Sequence, residues 1–112
     1  MERLDRQRCV PCRSGDPGVT PAERTAYLAQ LPGWEAIEVD GVARLQRRFG
    51  FKDFAAALEF TNRVGGLAEA EDHHPALLTE WGQVTVTWWT HAVNGLHRND
   101  FIMAAKTSAL YG

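Results

Sequence analysis

Asp40-Gly41 separates two stretches, residues 34–39 and 42–51, and this dipeptide is the one favoured in two-residue β-hairpin turns. A hairpin there commits the chain to a sheet. A second pair follows, because residues 76–81 are apolar-rich, Gly82-Gln83 can turn, and residues 84–90 alternate in the manner of a half-buried strand. Val84, Val86 and Trp88 are expected to face the core. The two-residue period puts Thr85, Thr87, Trp89 and His91 on the other face, with His91 at the strand's end, outside the main hydrophobic layer.

Helical spacing fills the gaps between and around these pairs. From Lys52, the residues Phe54, Ala57, Leu58, Thr61, Val64 and Leu67 recur at helical steps as an apolar stripe, and Asp53 complements the positive end of that helix. Gly65-Gly66 costs about 1 kcal/mol per glycine relative to alanine, so an early break or a loose last turn is expected there. Pro75 disfavours the α conformation for the residue before it, which places His74 in an extended or turn geometry just after the helix. Thr20-Pro21-Ala22-Glu23 reads as a capping box opening a helix that runs to Leu31 and stops before Pro32-Gly33. A last helix starts at Asn99 or Asp100 and contains Ile102, Met103, Ala105 and Leu110.

The order is then helix, two strands, helix, two strands, helix. With 112 residues there is enough chain for one core. The expected fold is α+β, a two-layer sandwich with a four-stranded antiparallel sheet and helices packed on one face. Its other face would carry Thr and Trp side chains, an exposed aromatic surface that another subunit covers. Residues 1–19, with Pro11, Gly15, Pro17 and Gly18 and no clean period, read as a flexible lead-in to a domain spanning residues 20–112.

Charge and composition remove several functions. The net charge is −2, and the Arg44, Arg47, Arg48 triplet reads as a solvated strand face, so nucleic acid is not an expected partner. No apolar stretch approaches the roughly 18–20 residues that span a bilayer, and the first residues lack the apolar core of a secretory signal. No membrane partner and a cytoplasmic location are expected. Cys9 and Cys12 form a lone CxxC, read as an inert terminal pair in preference to half of a zinc site shared between subunits.

Three of the four histidines fall at structural corners: His73 and His74 after the central helix, and His91 after the last strand; His97 is isolated. Their wider spacing is more specific than the His73-His74-Pro75 run alone. Glu69, three residues, His73-His74-Pro75, five residues, Trp81, nine residues, His91, eight residues and Asp100 together resemble the signature of the pterin-4a-carbinolamine dehydratase family. Gly33-Trp34, the run from Arg48 to Phe54, Thr90-His91 and Gly95-Leu96 are similar to that family too, so the resemblance covers residues 20–112.

The resemblance implies a dehydratase that converts 4a-hydroxytetrahydropterin to quinonoid dihydropterin after an aromatic amino acid hydroxylase has used the cofactor. It implies no metal, no cofactor, and a homodimer or homotetramer. By the same analogy His73 and His91 are acids that protonate the hydroxyl, and His74 binds substrate with a share of base catalysis. Asp72, His73 and His74 on one loop and Trp89, Thr90 and His91 on the other resemble the family's two pterin-binding segments, and Trp34 offers an aromatic wall. Trp81 and Trp88 read as core. Trp89 replaces the small polar residue expected there.

The residue chemistry fits that reaction by itself. Expelling the 4a-hydroxyl needs a proton on the leaving oxygen and loss of the N5 proton, and histidine, with an unperturbed pKa of about 6.5, can serve either step. Asp100 can orient a histidine or cap a helix, and Glu69 can reach His73 from one turn before it or remain solvated. Two rivals stand beside this reading. Three histidines can bind zinc, although neighbours in extended chain, such as His73 and His74, point apart. The other is a dimerisation cofactor of a regulator protein on the same fold.

Overall fold

The computed structural model describes residues 3–11 and 13–112. The chain runs through α1 (Pro21–Leu28), β1 (Glu35–Val39), β2 (Val42–Gly50), α2 (Phe54–Glu71), β3 (Ala76–Glu80), β4 (Gln83–Trp88) and α3 (Arg98–Tyr111), with 3-10 turns at Leu4–Arg6 and His91–Val93. The strands form one antiparallel sheet in the order β1-β2-β4-β3, so two hairpins lie side by side. Thr79 on β3 bonds Thr61 of α2, and Trp88 on β4 bonds Thr107 of α3. Register puts Thr79 and Trp88 on the same side of the sheet, so both helices cover one face. The fold is the expected α+β sandwich.

Local chemistry sets the turns. Asp40 and Gly41 both have positive φ, 52° and 78°, the conformation of the hairpin turn whose twist matches its strands. The second turn is Trp81-Gly82 instead of Gly82-Gln83, because Gln83 pairs with Glu80 as the first residue of β4. Trp81 therefore sits at a turn and is 74% exposed, which corrects its reading as core. Trp88 is fully buried, with Val84 and Val86 beside it.

Both halves of the capping box form at Thr20 and Glu23. α1 ends at Leu28, three residues early, because Gln30 and Leu31 bond the carbonyls of Tyr27 and Leu28 and tighten the last turn. In α2 the buried stripe is Ala57, Phe60, Val64 and Ala68, while Phe54 and Leu58 are exposed. Phe60 decides this rotation: its ring packs on Phe49, Phe51 and Tyr111, and the small Ala57 and Ala68 are also buried on that side. The helix passes through Gly65-Gly66 without a break, since burial of Val64 and Ala68 on either side outweighs the glycine cost.

The arginine triplet does not share one face. The two-residue period leaves Arg44 and Arg48 on the open side of the sheet and turns Arg47 inward, where Nη1 donates to Ser108 Oγ at 3.0 Å and the guanidinium lies 4.4 Å from the Phe49 ring centroid. The open face is also less aromatic than expected. Thr85 and Thr87 are buried under longer neighbours, Gln46 donating to Thr87 Oγ1, and Trp89 lies under the Arg44 guanidinium at 4.0 Å.

The lead-in is docked where a flexible segment was expected. Leu4 is 1% exposed within the core, Lys106 Nζ donates to the Asp5 carbonyl, and Val19 N–H donates to the Leu96 carbonyl. Met1, Glu2 and Cys12, the second cysteine of the CxxC, lie outside the described residues. No helix among the described residues is long and apolar enough to cross a membrane.

Candidate active site

The end of α2 aims the first two histidines. Asp72 takes the left-handed conformation with φ 51°, and the His73 N–H reaches back to the Ala68 carbonyl, a helix stop in which Asp replaces the commoner Gly. The reversal turns His73 inward. Its ring stacks on Trp88, 5.8 Å between centroids and 7° from parallel, and its side chain is 11% exposed. Nε2 lies 2.6 Å from Oδ1 of Asp100, a carboxylate with no solvent exposure.

Asp100 touches both His73 and the first turn of α3, the two partners between which the sequence left a choice. Its Oδ2 accepts the Thr90 hydroxyl at 2.7 Å and the His97 N–H at 2.9 Å, the latter closing a capping box on α3. The helix cap is His97, not Asn99 or Asp100. Its Nδ1 accepts the Asn99 N–H at 3.0 Å, so this nitrogen carries no proton. One carboxylate thus anchors the start of α3, the segment that follows β4, and His73.

Glu69 pairs with His74, not His73: Oε1 lies 2.6 Å from His74 Nε2. Because the chain reverses at Asp72, it is the second histidine that returns over the last turn of α2. Both partners are more than half exposed, so this pair adds little stability. His91 opens the 3-10 turn that follows Thr90 and is exposed, its ring edge-on to Trp89 at 5.2 Å. A backbone bridge between Thr90 and Gly95 closes that turn.

Asp72, His73, His74, Trp89, Thr90, His91 and Ala92 line one open cavity of about 240 Å³. Six of these seven were expected from the sequence as site residues, and Ala92 was not. Trp34 is not brought there. It is buried beside Phe49, with Nε1 donating to Ser108 Oγ at 2.8 Å. The platform under His73 is Trp88, which its alternation marked only as core. Nε2 of His73 and Nε2 of His74 face different carboxylates, and among the described residues no group of three His, Cys, Asp or Glu is placed to hold a metal ion.

Burial lowers the His97 pKa below the ordinary 6.5, against the opposing charges of Asp100 and Asp16 and with help from Arg98 and His73. The unfolded chain therefore takes up this proton first. The stability contributed by neutral His97 is full above 6.5 and is lost as pH falls through the lower folded value. Thermal melts should show Tm declining as pH drops below 6.5, with a shallower decline in His97→Asn, which retains a capping group without the titration.

The sequence profile of the family described as Pterin 4 alpha carbinolamine dehydratase matches residues 17–110. A protein of Syntrophotalea carbinolica, provisionally assigned as a pterin-4-alpha-carbinolamine dehydratase, is 59% identical over 98% of both chains. One of Gloeobacter violaceus with the same provisional assignment is 57% identical over 96% of this chain and 92% of its own. A solved Brucella melitensis structure, described as a transcriptional coactivator/pterin dehydratase, superposes with a TM-score of 0.77 at 38% identity, covering 86% of this chain and all of that one.

Proposed function

Since the chain belongs to the pterin-4a-carbinolamine dehydratase family, we propose that it removes water from a 4a-hydroxytetrahydropterin to give the quinonoid dihydropterin, as part of tetrahydropterin recycling beside an aromatic amino acid hydroxylase. The observation that carries this reading is the cavity in which His73, His74 and His91 converge, with one of them fixed by a fully buried carboxylate.

The C4a–O bond breaks as the N5 electron pair forms the C4a=N5 bond. An acid delivers a proton to the departing oxygen, and a base takes the proton from N5. With Nε2 of His73 committed to Asp100, its Nδ1 is the nitrogen left for exchange with substrate. His73 and His91 act as the acids, one from each of the two segments that line the cavity. His74, with Nε2 held by Glu69, binds substrate and shares the base role. Asp72, Trp89 and Thr90 complete the edge on which the flat pterin rests. No metal is needed, because a carbinolamine loses water unaided and the protein adds acid and base.

The test is the ultraviolet decay of enzymatically generated 4a-hydroxytetrahydropterin with and without protein. Wild type should accelerate it, and a His73→Ala, His91→Ala double variant should lose about 10²–10⁴-fold. No acceleration by the wild type would sink the dehydratase reading.

A homodimer or homotetramer is supported by the exposure of Phe54, Leu58, Leu78 and Trp81, large apolar side chains on the surface of the single chain. The description of the Brucella melitensis relative favours a second reading, a binding role for a regulator on the same fold. Under that reading, a variant lacking all three histidines keeps its assembly, and the wild type dehydrates no pterin.

A further inference from the structure

We infer that residues 8–11 form a clamp that positions the His73–Asp100 pair, with Glu71 and Asn99 as its two positioning residues. Glu71 is the last residue of α2, two before His73, and its side chain is 7% exposed. Its carboxylate accepts the Cys9 N–H at 3.1 Å and Arg8 Nε at 2.9 Å. Burial opposes the charge, but the Cys9 N–H and the Arg8 guanidinium outweigh it and hold the carboxyl below its ordinary 4.5. The anchor is therefore ionised at neutral pH.

Asn99 directly precedes Asp100 and is 1% exposed. Its Oδ1 accepts the Val10 N–H at 3.1 Å, and its Nδ2 donates to the Val10 carbonyl at 2.6 Å, so one carboxamide grips both polar groups of one strap residue. Consecutive residues of the strap are thus tied to two different elements. Cys9 is tied to the end that carries His73, and Val10 to the start that carries Asp100.

Among the described residues, packing alone does not brace His73 on this side. A cavity of about 420 Å³ lies between the strap and the end of α2, lined in part by His73, Asp72 and Asn99. Where side chains leave a gap, dispersion contacts are lost and hydrogen bonds must fix the spacing. The spacing matters because the 2.6 Å contact is no longer a hydrogen bond once it opens by about 1 Å, and catalytic groups need placement to within about 0.5 Å. Burying a carboxylate and a carboxamide to hold a short coil is costly if the coil does nothing more. Placed beside the two members of the pair, they set its geometry.

The kinetic consequence rests on the dehydratase reading, whereas the geometric one does not. The variants are Arg8→Ala with Glu71→Ala, which removes the acceptor of the Cys9 N–H, and separately Asn99→Ala. Arg8 is largely exposed, and alanine at the last position of α2 favours the helix and removes a carboxylate that burial penalises, so the first pair keeps the fold even if the buried Asn99→Ala variant fails. The ¹⁵N shifts of the His73 ring nitrogens, read at mildly alkaline pH in the full chain, report which nitrogen carries the proton. Wild type should hold Nε2–H toward Asp100, and both variants should move to averaged shifts. With 4a-hydroxytetrahydropterin, kcat should fall about tenfold or more with KM changed less than about threefold.

Val84→Ala, a core change in β4, supplies the control: it should lower Tm without moving the ring shifts. Unchanged His73 shifts in both strap variants, or equal shifts in Val84→Ala, would overturn the clamp. A wild type inactive on the pterin would defeat the function while leaving the ring shifts to judge the clamp alone.

Discussion

Asp100→Asn is expected to cost the protein about 10²–10⁴-fold in kcat and about 1–3 kcal/mol of stability, with the stability loss too small to explain the rate. The carboxylate receives three contacts, from His73 Nε2, the Thr90 hydroxyl and the His97 N–H, and none of its surface meets water. An amide has one oxygen and an NH₂ in place of two oxygens. If the oxygen stays on Thr90 and His97, the NH₂ faces His73, whose Nε2 must then give up its proton and move the tautomer to Nδ1. If the oxygen turns to His73, the NH₂ meets the His97 N–H, donor against donor, and α3 loses half its capping box. Either arrangement leaves the fold intact, but the first reverses the His73 tautomer on which the proposed dehydration depends and the second undoes half of the α3 capping box. Stopped-flow decay of the 4a-hydroxypterin and a urea melt on the same preparation separate the two effects. Wild-type kcat in the variant would reduce Asp100 to its place in the α3 capping box.

The elements were legible because they depend on near-neighbour rules. A two-residue period and Asp40-Gly41 made one hairpin, Val84, Val86 and Trp88 made a core strand, and Thr20 with Glu23 made a capping box. Six of the seven cavity residues were identified from the sequence. What the sequence could not supply was direction after a chain reversal. The left-handed Asp72 moves His74, not His73, over Glu69, and no spacing rule for a continuing helix contains that step.

The lead-in was missed for a related reason. Among its described residues the one large buried anchor is Leu4, and its tertiary hydrogen bonds reach residues 26 to 101 positions away, so it carries no period to read. Trp34 and Trp81 show the limit for isolated aromatics. One is a core residue bonded to Ser108 and the other is a turn residue in solvent, a difference set by register and turn position. Arg47 follows the same logic, since strand parity sends it inward while Arg44 and Arg48 stay out.

Trp88 is where fold and site meet, and its substitutions should split along that line. Trp88→Leu removes a fully buried ring and leaves a cavity, so a loss of about 2–4 kcal/mol is expected. A domain of this size holds about 5–15 kcal/mol, and the variant should therefore fold. It also removes the parallel surface on which His73 lies. The imidazole then rotates about its bond to Asp100, and kcat should fall by a further factor of about 10–100 beyond any loss of folded protein. Trp88→Phe keeps a flat ring. It gives up the Nε1 bond to Thr107, but the Thr107 hydroxyl still donates to the Met103 carbonyl, so no buried donor is stranded. Its kcat should stay within about threefold of wild type while its urea midpoint still drops. Equal kcat in the Leu and Phe variants, at matched folded fractions, would show that the ring under His73 only fills space.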